Sequence, residues 1–583
     1  MRPRYIMLPM ITRNRRAYSH HPLLAVLFSL ICSLALAQAG APAKVSTPAG
    51  LNPIRTYIAN GWDVLTRSMT RCDSIVDPKV ATKAVLYLPA DFPAPPAVQK
   101  LQNDCKVEVQ HLPPIHQPGQ TDVRSINPPG LLYLPNAYVV PGGRFNEMYG
   151  WDSYFIIVGL IRDGRLDLAK GMVENFFFEV EHYGTFLNAN RTYYLTRSQP
   201  PYLSSMIMEV YQAEKAAGHS DRAWLQRAYD YAAKDYQLWV HEPHLAGSTG
   251  LSRYFDFGDG PVAEGLQDET GYYKNVAAFF LSHPDRADHD LVETEPGKPN
   301  PDAVGFGFEL QLCETTQNGK KCEPFRTVSL SHDYYKGDRS MRESGFDVAF
   351  RFGPFGAQTH HYAAVCLNSL LYKTETDLAT MSDTLGKKED AARWRKLAED
   401  RKARMNQLFW NASKGMFFDY EFETQKQSSY TYVTTFYPMW AGLASPDQAR
   451  AIEKNLHIFE QPGGLDMSPT ESGGQWDHPY GWAPMQLVGI EGLRRYGFND
   501  DANRVAYKFL STVAENFRHD GTIREKYNVV TRSSETTVTA GYHMNIVGFG
   551  WTNGVFLELL QKLPSDAVER LAREQTNTAP ASK

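Results

Sequence analysis

Residues 151–184 read WDSYFIIVGLIRDGRLDLAKGMVENFFFEVEHYG, and this stretch decides the fold. Apolar residues recur with helical period over 151–160, and the same period resumes over 166–183. The polar break at 163–165 and the glycine at Gly184 mark the ends of the two segments. The stretch therefore predicts a helical hairpin.

The same arrangement recurs along the chain. Further helix pairs are predicted at 204–217 with 221–240, 358–385 with 389–411, 431–443 with 446–458, and 480–497 with 500–518. Single helices near 52–69 and 551–563 remain at the two ends, and pairing them gives a sixth hairpin. Six hairpins closed into a ring predict an all-α fold, an (α/α)6 toroid.

An open solenoid of helix pairs is the alternative, and it would make the protein a binding scaffold. No sequence repeat of fixed period is visible, which argues against a solenoid. The connections are unequal, and the long ones are rich in Trp, Asp, Arg, Gly and Gln: 188–201, 250–347, 463–479 and 519–548. Long functional loops on one rim of a rigid scaffold are typical of an enzyme.

The composition narrows the class of protein. Of 583 residues, 43% are hydrophobic and 21% charged, which excludes a wholly disordered, collagen-like or multi-spanning membrane protein. The formal charge is -5, and no long basic stripe is present. We therefore expect a globular protein with no nucleic acid partner.

The N-terminal residues have the pattern of a targeting segment. Five arginines precede Tyr18 without any acid, and an apolar run follows over 23–39. This pattern predicts a secretory signal peptide at 1–39, a periplasmic or secreted location, and no membrane contact after cleavage. A retained anchor is the alternative, although the run is short for a membrane span.

The remaining chain divides by composition. We expect a flexible N-terminal linker at 40–50, the toroidal catalytic domain at 51–565 and a disordered C-terminal tail at 566–583. The tail is assigned because its residues are mainly Arg, Gln, Thr, Asn, Pro and Lys.

Five cysteines remain once Cys32 is removed with the leader. Cys366 lies in an apolar stretch and is expected to be a buried thiol. Cys313 with Cys322 and Cys72 with Cys105 are candidate disulfides, and spacing alone decides neither. No Cys or His spacing matches a zinc site and no Asp-rich loop matches an EF-hand, so neither a metal nor a cofactor is expected.

Four segments carry charged and aromatic residues where a packed helix would not favour them. They read PGGRFNEMYGWDSY (141–154), NANRTYYLTRSQPP (188–201), QWDHPYGWAP (475–484) and GFGWTNG (548–554). Together they resemble the trehalases of glycoside hydrolase family 37, over about residues 51–560. The resemblance implies an (α/α)6 barrel that hydrolyses α,α-trehalose to two glucose molecules with inversion.

An inverting glycosidase needs a protonated carboxyl beside the bridging oxygen and an ionised carboxylate about 6.5–9.5 Å away that holds a water. The resemblance assigns the general acid to Asp347, in RESGFD, and the general base to Glu525, in REKY. The structural alternatives are that Asp347 caps a helix and that Glu525 forms a surface pair with Arg524 or Lys526.

The resemblance also implies a set of substrate contacts. They fall on Arg144, Trp151, Asp152, Asn188, Arg197, Ser198, Gln199, Glu264 and Gly345. Their polar side chains suit sugar hydroxyls, whereas Phe145, Trp151 and Trp476 offer flat faces. Core packing is the alternative role for each tryptophan.

Two departures from the family pattern bear on the substrate. Many members have Arg-Pro-Glu where this chain has Val262-Ala263-Glu264, and a Gly-rich loop with Glu and Tyr where this chain has 540–547. Tyr542, His543 and Asn545 are candidates to replace the missing arginine contact.

Two other functions remain open. One is hydrolysis of another small α-glucoside by the same mechanism, and the other is a non-catalytic sugar-binding toroid. The presence of both Asp347 and Glu525 argues against the toroid that only binds, because a binding protein does not need a matched acid and base.

Overall fold

The computed structural model describes residues 48–76, 83–262, 269–287, 289–294, 300–316, 319–541 and 544–576, so the predicted leader at 1–39 lies outside the described residues. In chain order the α-helices of these residues are Asn52–Leu65 (α1), Cys72–Ile75 (α2), Pro96–Cys105 (α3), Gly150–Arg162 (α4), Leu166–His182 (α5), Leu203–Ala216 (α6), Arg222–Trp239 (α7), Glu269–Ser282 (α8), His332–Glu343 (α9), Val365–Leu385 (α10), Lys388–Leu408 (α11), Tyr437–Trp440 (α12), Pro446–Lys454 (α13), Ala483–Arg495 (α14), Asn499–Asp520 (α15), Gly550–Lys562 (α16) and Ser565–Thr576 (α17).

Six of these helices form a closed ring. Each member of the series α4, α6, α10, α12, α14 and α16 packs against the next, and α16 packs against α4. The helices α5, α7, α11 and α15 follow in sequence and pack against their hairpin partners α4, α6, α10 and α14. Helix α1 contacts α16, as the sixth hairpin requires. The predicted (α/α)6 toroid is confirmed.

The ring closes where α4 and α16 pack backbone to backbone. A Cβ added to Gly159 would lie 2.3 Å from the Cα of Gly554, and one added to Gly554 would lie 2.1 Å from the carbonyl oxygen of Phe155. Both distances are far shorter than a van der Waals contact, so only glycine fits at either position. We call this contact the Gly159–Gly554 seam.

Short strands connect the helices. They are Thr66–Arg67 (β1), Val85–Leu88 (β2), Glu108–His111 (β3), Leu131–Leu132 (β4), Tyr138–Val139 (β5), Leu291–Glu293 (β6), Ala303–Leu310 (β7), Cys313–Thr316 (β8), Gly319–Cys322 (β9), Arg326–Ser331 (β10), Tyr362–Ala363 (β11), Trp410–Asn411 (β12), Met416–Phe417 (β13), Tyr420–Glu421 (β14), Lys426–Gln427 (β15), Glu460–Gln461 (β16), Gly464–Leu465 (β17), Tyr480–Trp482 (β18) and Lys526–Asn528 (β19). Strand β18 pairs antiparallel with β19, which joins the third motif to the residue after Glu525.

The long connection at 250–347 is a folded unit rather than a loop. Strands β6, β10 and β7 form an antiparallel sheet in that order, and α8 packs on it. Together with α9 they enclose a second hydrophobic cluster that includes Tyr273, Phe280 and Val328. This unit carries the chain to Asp347.

Two predicted helices are shorter in the structure than expected. Helix α10 begins at Val365 rather than at 358, because Thr359–His361 forms a 3-10 turn and β11 follows it. The segment predicted as helical at 431–443 contains only α12, preceded by the 3-10 turn Val433–Phe436, whose β-branched residues disfavour a helix.

The predicted tail at 566–583 is helical as far as Thr576, in α17. One narrow face of α17 is apolar and buried, although most of its residues are polar. This face is formed by Val568, Leu571 and Ala572. Residues 577–583 of that predicted tail lie outside the described residues.

The cysteines pair as Cys72–Cys105 and Cys313–Cys322, the two candidates that the sequence offered. Cys366 is a buried free thiol, as expected. Over the described part of the chain, none of the helices is long and apolar enough to cross a membrane.

Candidate active site

The first two motifs are bound together at the N-terminal end of α4. The amide of Gly150 donates to the carbonyl of Asn188 at 3.0 Å. The amide of Trp151 donates to Oε1 of Gln199 at 2.9 Å. Because the first amides of a helix have no partner within it, these contacts fix the start of α4 and the loop that faces it. Asp152 lies in this first turn.

Arg197 is held in a preset orientation. Its Nη2 donates to Oδ1 of Asn188 at 3.1 Å, and its Nη1 lies 3.9 Å from Oδ2 of Asp256. The guanidinium lies over the Tyr194 ring, 4.9 Å from the centroid. Burial raises the pKa of Asp256, but Arg339 and Arg197 outweigh burial, and the pKa lies below its usual range. Arg197 is thus a buried cation with an ionised partner.

Ser198 and Glu343 are structural contacts between elements. The Ser198 hydroxyl donates to the carbonyl of Phe186 at 2.6 Å, and its amide donates to Oε1 of Glu343 at 3.3 Å. Glu343 also accepts from the amide of Phe255 at 2.5 Å, and His244 Nε2 lies 3.4 Å from it. Glu343 stands in the quoted RESGFD segment, but the sequence analysis gave it no role. Its buried carboxylate binds the end of α9 to the second motif.

Asp347 lies on the loop that follows α9. Gly345, two residues earlier, has φ +76°, and a Cβ there would lie 2.8 Å from the Trp151 ring. The third motif holds this loop by its backbone: Gln475 Nε2 donates to the carbonyl of Asp347 at 2.5 Å, and the Trp476 amide donates to that of Val348 at 3.3 Å. The side chain of Asp347 is partly exposed.

Asp477 completes this support, and the sequence analysis did not assign it a role. Its carboxylate accepts from the amide of Phe350 at 2.9 Å and from the hydroxyls of Ser472 at 2.6 Å and Tyr430 at 2.8 Å. Burial raises the pKa of Asp477 to about 6. The sequence could have identified Asp477 as a candidate, because it lies inside the third motif.

Glu525 lies directly before β19. Its Oε2 accepts from Nζ of Lys526 at 3.1 Å, and Lys526 is completely buried. Trp551 Nε1 donates to the Glu525 carbonyl at 3.1 Å. The Glu525 carboxylate therefore pairs with Lys526 in the protein interior and not on the surface. The attraction between opposite charges is stronger in the interior. Arg524, the other flanking cation, pairs instead with Asp520 at 2.8 Å.

Asn545 fixes the strand that carries this pair. Its Oδ1 accepts from the amide of Lys526 at 3.2 Å, and its Nδ2 donates to the carbonyls of Lys526 at 2.9 Å and Ser534 at 2.7 Å. These contacts use its amide for backbone support. Tyr542 and His543, the other candidates for a replacement sugar contact, lie outside the described residues.

Asp152 shows that the acid and base segments meet. Its side chain is buried, with 5% exposure. Burial raises the pKa of Asp152 well above its usual range, and the negative charges of Glu525 and Asp347 raise it further. Such Coulombic effects require proximity. Asp347 and Glu525, far apart in the sequence, therefore both lie close enough to Asp152 to raise its pKa.

The predicted sugar-binding tryptophans are part of a packed wall. Trp476 stacks on Trp482 with centroids 3.9 Å apart and an interplanar angle of 6°. Trp151 lies 5.7 Å from Trp476 and 5.9 Å from Trp551. Trp151 and Trp476 are each only 2% exposed, so packing accounts for most of their surface.

The remaining predicted contacts are placed less uniformly. Phe145 is half-buried, with the Arg144 guanidinium 5.0 Å above its ring. Nε of Arg144 is buried without a hydrogen-bond partner among the described residues. Glu264 lies outside the described residues, and Val262 before it is buried at 3% exposure.

Arg342 was also missed by the sequence analysis. It is 4% exposed, its Nε donates to Oδ2 of Asp338 at 3.2 Å, and its guanidinium lies over the Tyr272 ring at 5.7 Å. It belongs to the same quoted segment as Asp347, so the motif itself carried the signal.

Comparison with known proteins gives one consistent result. The sequence profile of the family described as Trehalase matches residues 86–291 and 309–564. A "Probable trehalase" of Eremothecium gossypii is 35% identical over 88% of this chain and 72% of its own length. A "Cytosolic neutral trehalase" of Saccharomyces cerevisiae is 34% identical over 87% of this chain and 71% of its own length. The solved structure of neutral trehalase Nth1 from the same yeast superposes with a TM-score of 0.72 at 31% identity, covering 90% of this chain and 96% of that one.

These relatives contradict one expectation. The signal peptide and the periplasmic or secreted location predicted from the sequence are wrong by this comparison, because relatives matched over most of this chain are named as cytosolic enzymes. The prediction rested only on arginines followed by an apolar run, a pattern that no other observation supported.

Proposed function

This chain belongs to the trehalase family, and from that premise we propose that Asp347 and Glu525 are the acid and the base with which it works. The protein is an α,α-trehalase, a glycoside hydrolase that cleaves α,α-trehalose to two glucose molecules. The assignment of roles to single residues, and the set of sugar contacts, are our proposal.

One observation carries the proposal: the buried carboxyl of Asp152 is affected by the charges of both Glu525 and Asp347. A site with two such carboxyls meets the first requirement of an inverting glycosidase, which needs an acid on one side of the sugar and a base on the other. A pocket that only binds a sugar has no such requirement.

The surroundings of the two carboxyls support different roles. Lys526 donates to Glu525 at 3.1 Å, and this ammonium stabilises the negative charge that a base needs. Gln475 holds the Asp347 segment by its backbone, at the carbonyl oxygen of Asp347. The negative charge of Asp347 raises the pKa of the Asp152 carboxyl, so Asp347 and Asp152 lie close to each other.

The remaining predicted contacts form the proposed sugar site. Arg197 with Asn188, Gln199 with Trp151, and Gly345 lie next to the acid and base segments and support this part of the proposal. The full proposed set is Arg144, Phe145, Trp151, Asp152, Asn188, Arg197, Ser198, Gln199, Glu264, Gly345 and Trp476.

The test is a pair of isosteric variants on trehalose. Asp347→Asn and Glu525→Gln should each fold normally and lose a factor on the order of 10² or more in kcat, the contribution of general acid or base catalysis. Following product anomers by NMR with the unmodified enzyme should show one α- and one β-glucose per cleavage, as inversion requires. Glu535→Gln is the matched control because Glu535 is exposed in the same segment as Glu525. Turnover near that of the control in either variant would remove that residue from its role.

A second candidate function rests on Val262, where many family members have arginine. Valine at position 262 is buried and cannot make the contact with sugar that the arginine of those family members would make. Another small α-glucoside is therefore the alternative substrate. A panel of α-linked disaccharides decides between them: a kcat/KM for any other disaccharide above that for trehalose would favour the alternative.

A further inference from the structure

Three potential metal ligands converge at the start of α9, away from any motif. Asp333 lies in the first turn of α9, and His360 and His361 form the end of the 3-10 turn before β11. One ligand atom from each residue lies within 4.8 Å of the other two. The cluster was invisible in the sequence because the aspartate and the histidines are separated by a loop and fit no zinc spacing pattern.

Both imidazoles approach the same carboxylate oxygen. Nε2 of His360 lies 3.0 Å from Oδ1 of Asp333, and Nε2 of His361 lies 3.5 Å from it. Bonds of about 2.0–2.2 Å to one ion place adjacent tetrahedral or octahedral ligand atoms about 3.0–3.5 Å apart. The spacing therefore needs little adjustment to enclose an ion. Glu423 offers a fourth ligand, with Oε1 4.0 Å from Nε2 of His361.

The His360 ring is committed to this place. It is 5% exposed, and its Nδ1 is buried without a hydrogen-bond partner among the described residues. Its side-chain polar contact is therefore the one through Nε2 to Asp333. The carbonyl of His360 accepts from Nη1 of Arg253 at 3.0 Å, which fixes the backbone of the turn.

We propose that Asp333, His360 and His361, with Glu423 as a fourth ligand, bind one divalent ion of the zinc class. Two imidazoles with one or two carboxylates suit zinc and its first-row neighbours, whereas calcium and magnesium prefer oxygen ligands alone. The partly exposed ring of His361 and carboxylate of Asp333 give an ion a path from solvent.

The ion would join the two ends of the chain segment that contains Asp347, the proposed acid. Asp333 precedes Asp347 and the two histidines follow it, so a metal bound by both sides turns this segment into a closed loop. Closing a loop in the folded state, where the unfolded chain lacks the site, stabilises the fold by the free energy of binding. The ion contacts neither carboxyl of the active site in this arrangement, and its role is to position the segment.

The experiment uses the full chain without an affinity tag, stripped with a chelator and then dialysed against Zn²⁺ or, separately, Co²⁺. We expect one ion per chain by elemental analysis and a higher unfolding temperature with Zn²⁺. His361→Gln and Asp333→Asn should each weaken Zn²⁺ binding by at least about tenfold, the lower end of the loss for altering even an outer-shell partner. His241→Gln is the matched control, because His241 is exposed and its Nδ1 lies 2.9 Å from the carbonyl oxygen of Gln237, outside the cluster.

Several outcomes would overturn the proposal. They are less than one ion per chain, equal Zn²⁺ affinity in the ligand variants and the control, or Ca²⁺ binding as tight as Zn²⁺ binding. Should both ligand variants fail to fold, X-ray absorption at the zinc edge of the unmodified protein decides: two imidazoles with oxygen ligands support the site, and a sulfur ligand or fewer imidazoles contradicts it. Each readout is independent of trehalose hydrolysis.

Discussion

The segment around Asp347, the proposed acid, and the segment around Glu525, the proposed base, are held by different contacts. The third motif holds the Asp347 segment by its backbone, through Gln475, Trp476 and Asp477. Around Glu525 the support reaches the carboxylate itself, through the buried ammonium of Lys526. The third motif thus fixes the backbone of the loop that carries Asp347, whereas Lys526 contacts the carboxylate of Glu525 directly.

The largest expected effect separates the acid from the base by the leaving group. Fluoride leaves without protonation, so α-glucosyl fluoride needs the base but not the acid. Asp347→Asn should therefore retain activity on α-glucosyl fluoride while losing a factor on the order of 10² or more on trehalose. Glu525→Gln should lose activity on both substrates. Steady-state kinetics with the two substrates measures the contrast, and equal losses in both variants would contradict the division of roles.

The next effect tests the charge on the base segment. Lys526→Met removes the ammonium that donates to Glu525, and a hydrogen bond to a charged group is worth about 1.5–3 kcal/mol. We expect kcat/KM to fall about ten- to a hundredfold. Arg524→Met is the control, since Arg524 pairs with Asp520 rather than with the base. Losses of the same size in both variants would show that general positive charge, and not this contact, matters.

A smaller effect tests the backbone support of the acid segment. Asp477→Asn keeps the shape but weakens acceptance from Phe350 and Tyr430, so kcat should fall about tenfold, the loss of about 1.4 kcal/mol. Asp235→Asn is the control for kcat, because its carboxyl is also buried and instead accepts from Phe186 and Thr185.

The same variant changes the dependence of stability on pH. The folded-state pKa of Asp477 is about 6, above the ordinary 3.8, so the folded protein binds this proton more tightly than the unfolded chain. Its contribution to stability is full below about pH 4, falls as the pH rises towards 6, and totals about 3 kcal/mol at about 1.4 kcal/mol per pKa unit. Asp477→Asn should lack this decline in urea unfolding between pH 4 and 7. An unchanged slope would place the titration elsewhere.

The smallest expected effect on activity concerns Val262. Val262→Arg should give no gain in kcat/KM on trehalose, because the side chain is 3% exposed and packs in the hydrophobic cluster with Tyr273. Overpacking there should cost about 1–3 kcal/mol of stability. Val262→Leu is the control for added volume without charge. A clear gain for arginine would instead show that the position reaches the sugar.

Helical periodicity predicted the ring because its helices are long and apolar on a wide face, as in 151–160 and 166–183. It failed at α17, where the buried stripe is narrow, and at α12, where Thr434 and Thr435 precede a single helical turn. The sheet of β6, β10 and β7 was missed because its strands lie within a polar connection.

The site was predictable only as far as the motifs reach. Asp347 and Glu525 were identified through the resemblance, and no spacing rule connects residues so far apart. Asp477 and Glu343 escaped assignment because their effect depends on contacts made after folding. Lys526 was expected as a neighbouring cation of Glu525, but its burial could not be predicted from the sequence. The cluster of Asp333 with His360 and His361 is the clearest case, since only the turn before β11 brings its members together.

The Gly159–Gly554 seam also sets the order in which the enzyme can be completed on the ribosome. Synthesis delivers the N-terminal part first, so α4 emerges while α16 is still untranslated. Until α16 arrives, the face of α4 that includes Gly159 lacks its partner, and Glu525, the proposed general base, has only just been added to the chain. A chain that ends before residue 550 therefore forms an open ring and no active enzyme. Its exposed apolar face is available to chaperones and proteases.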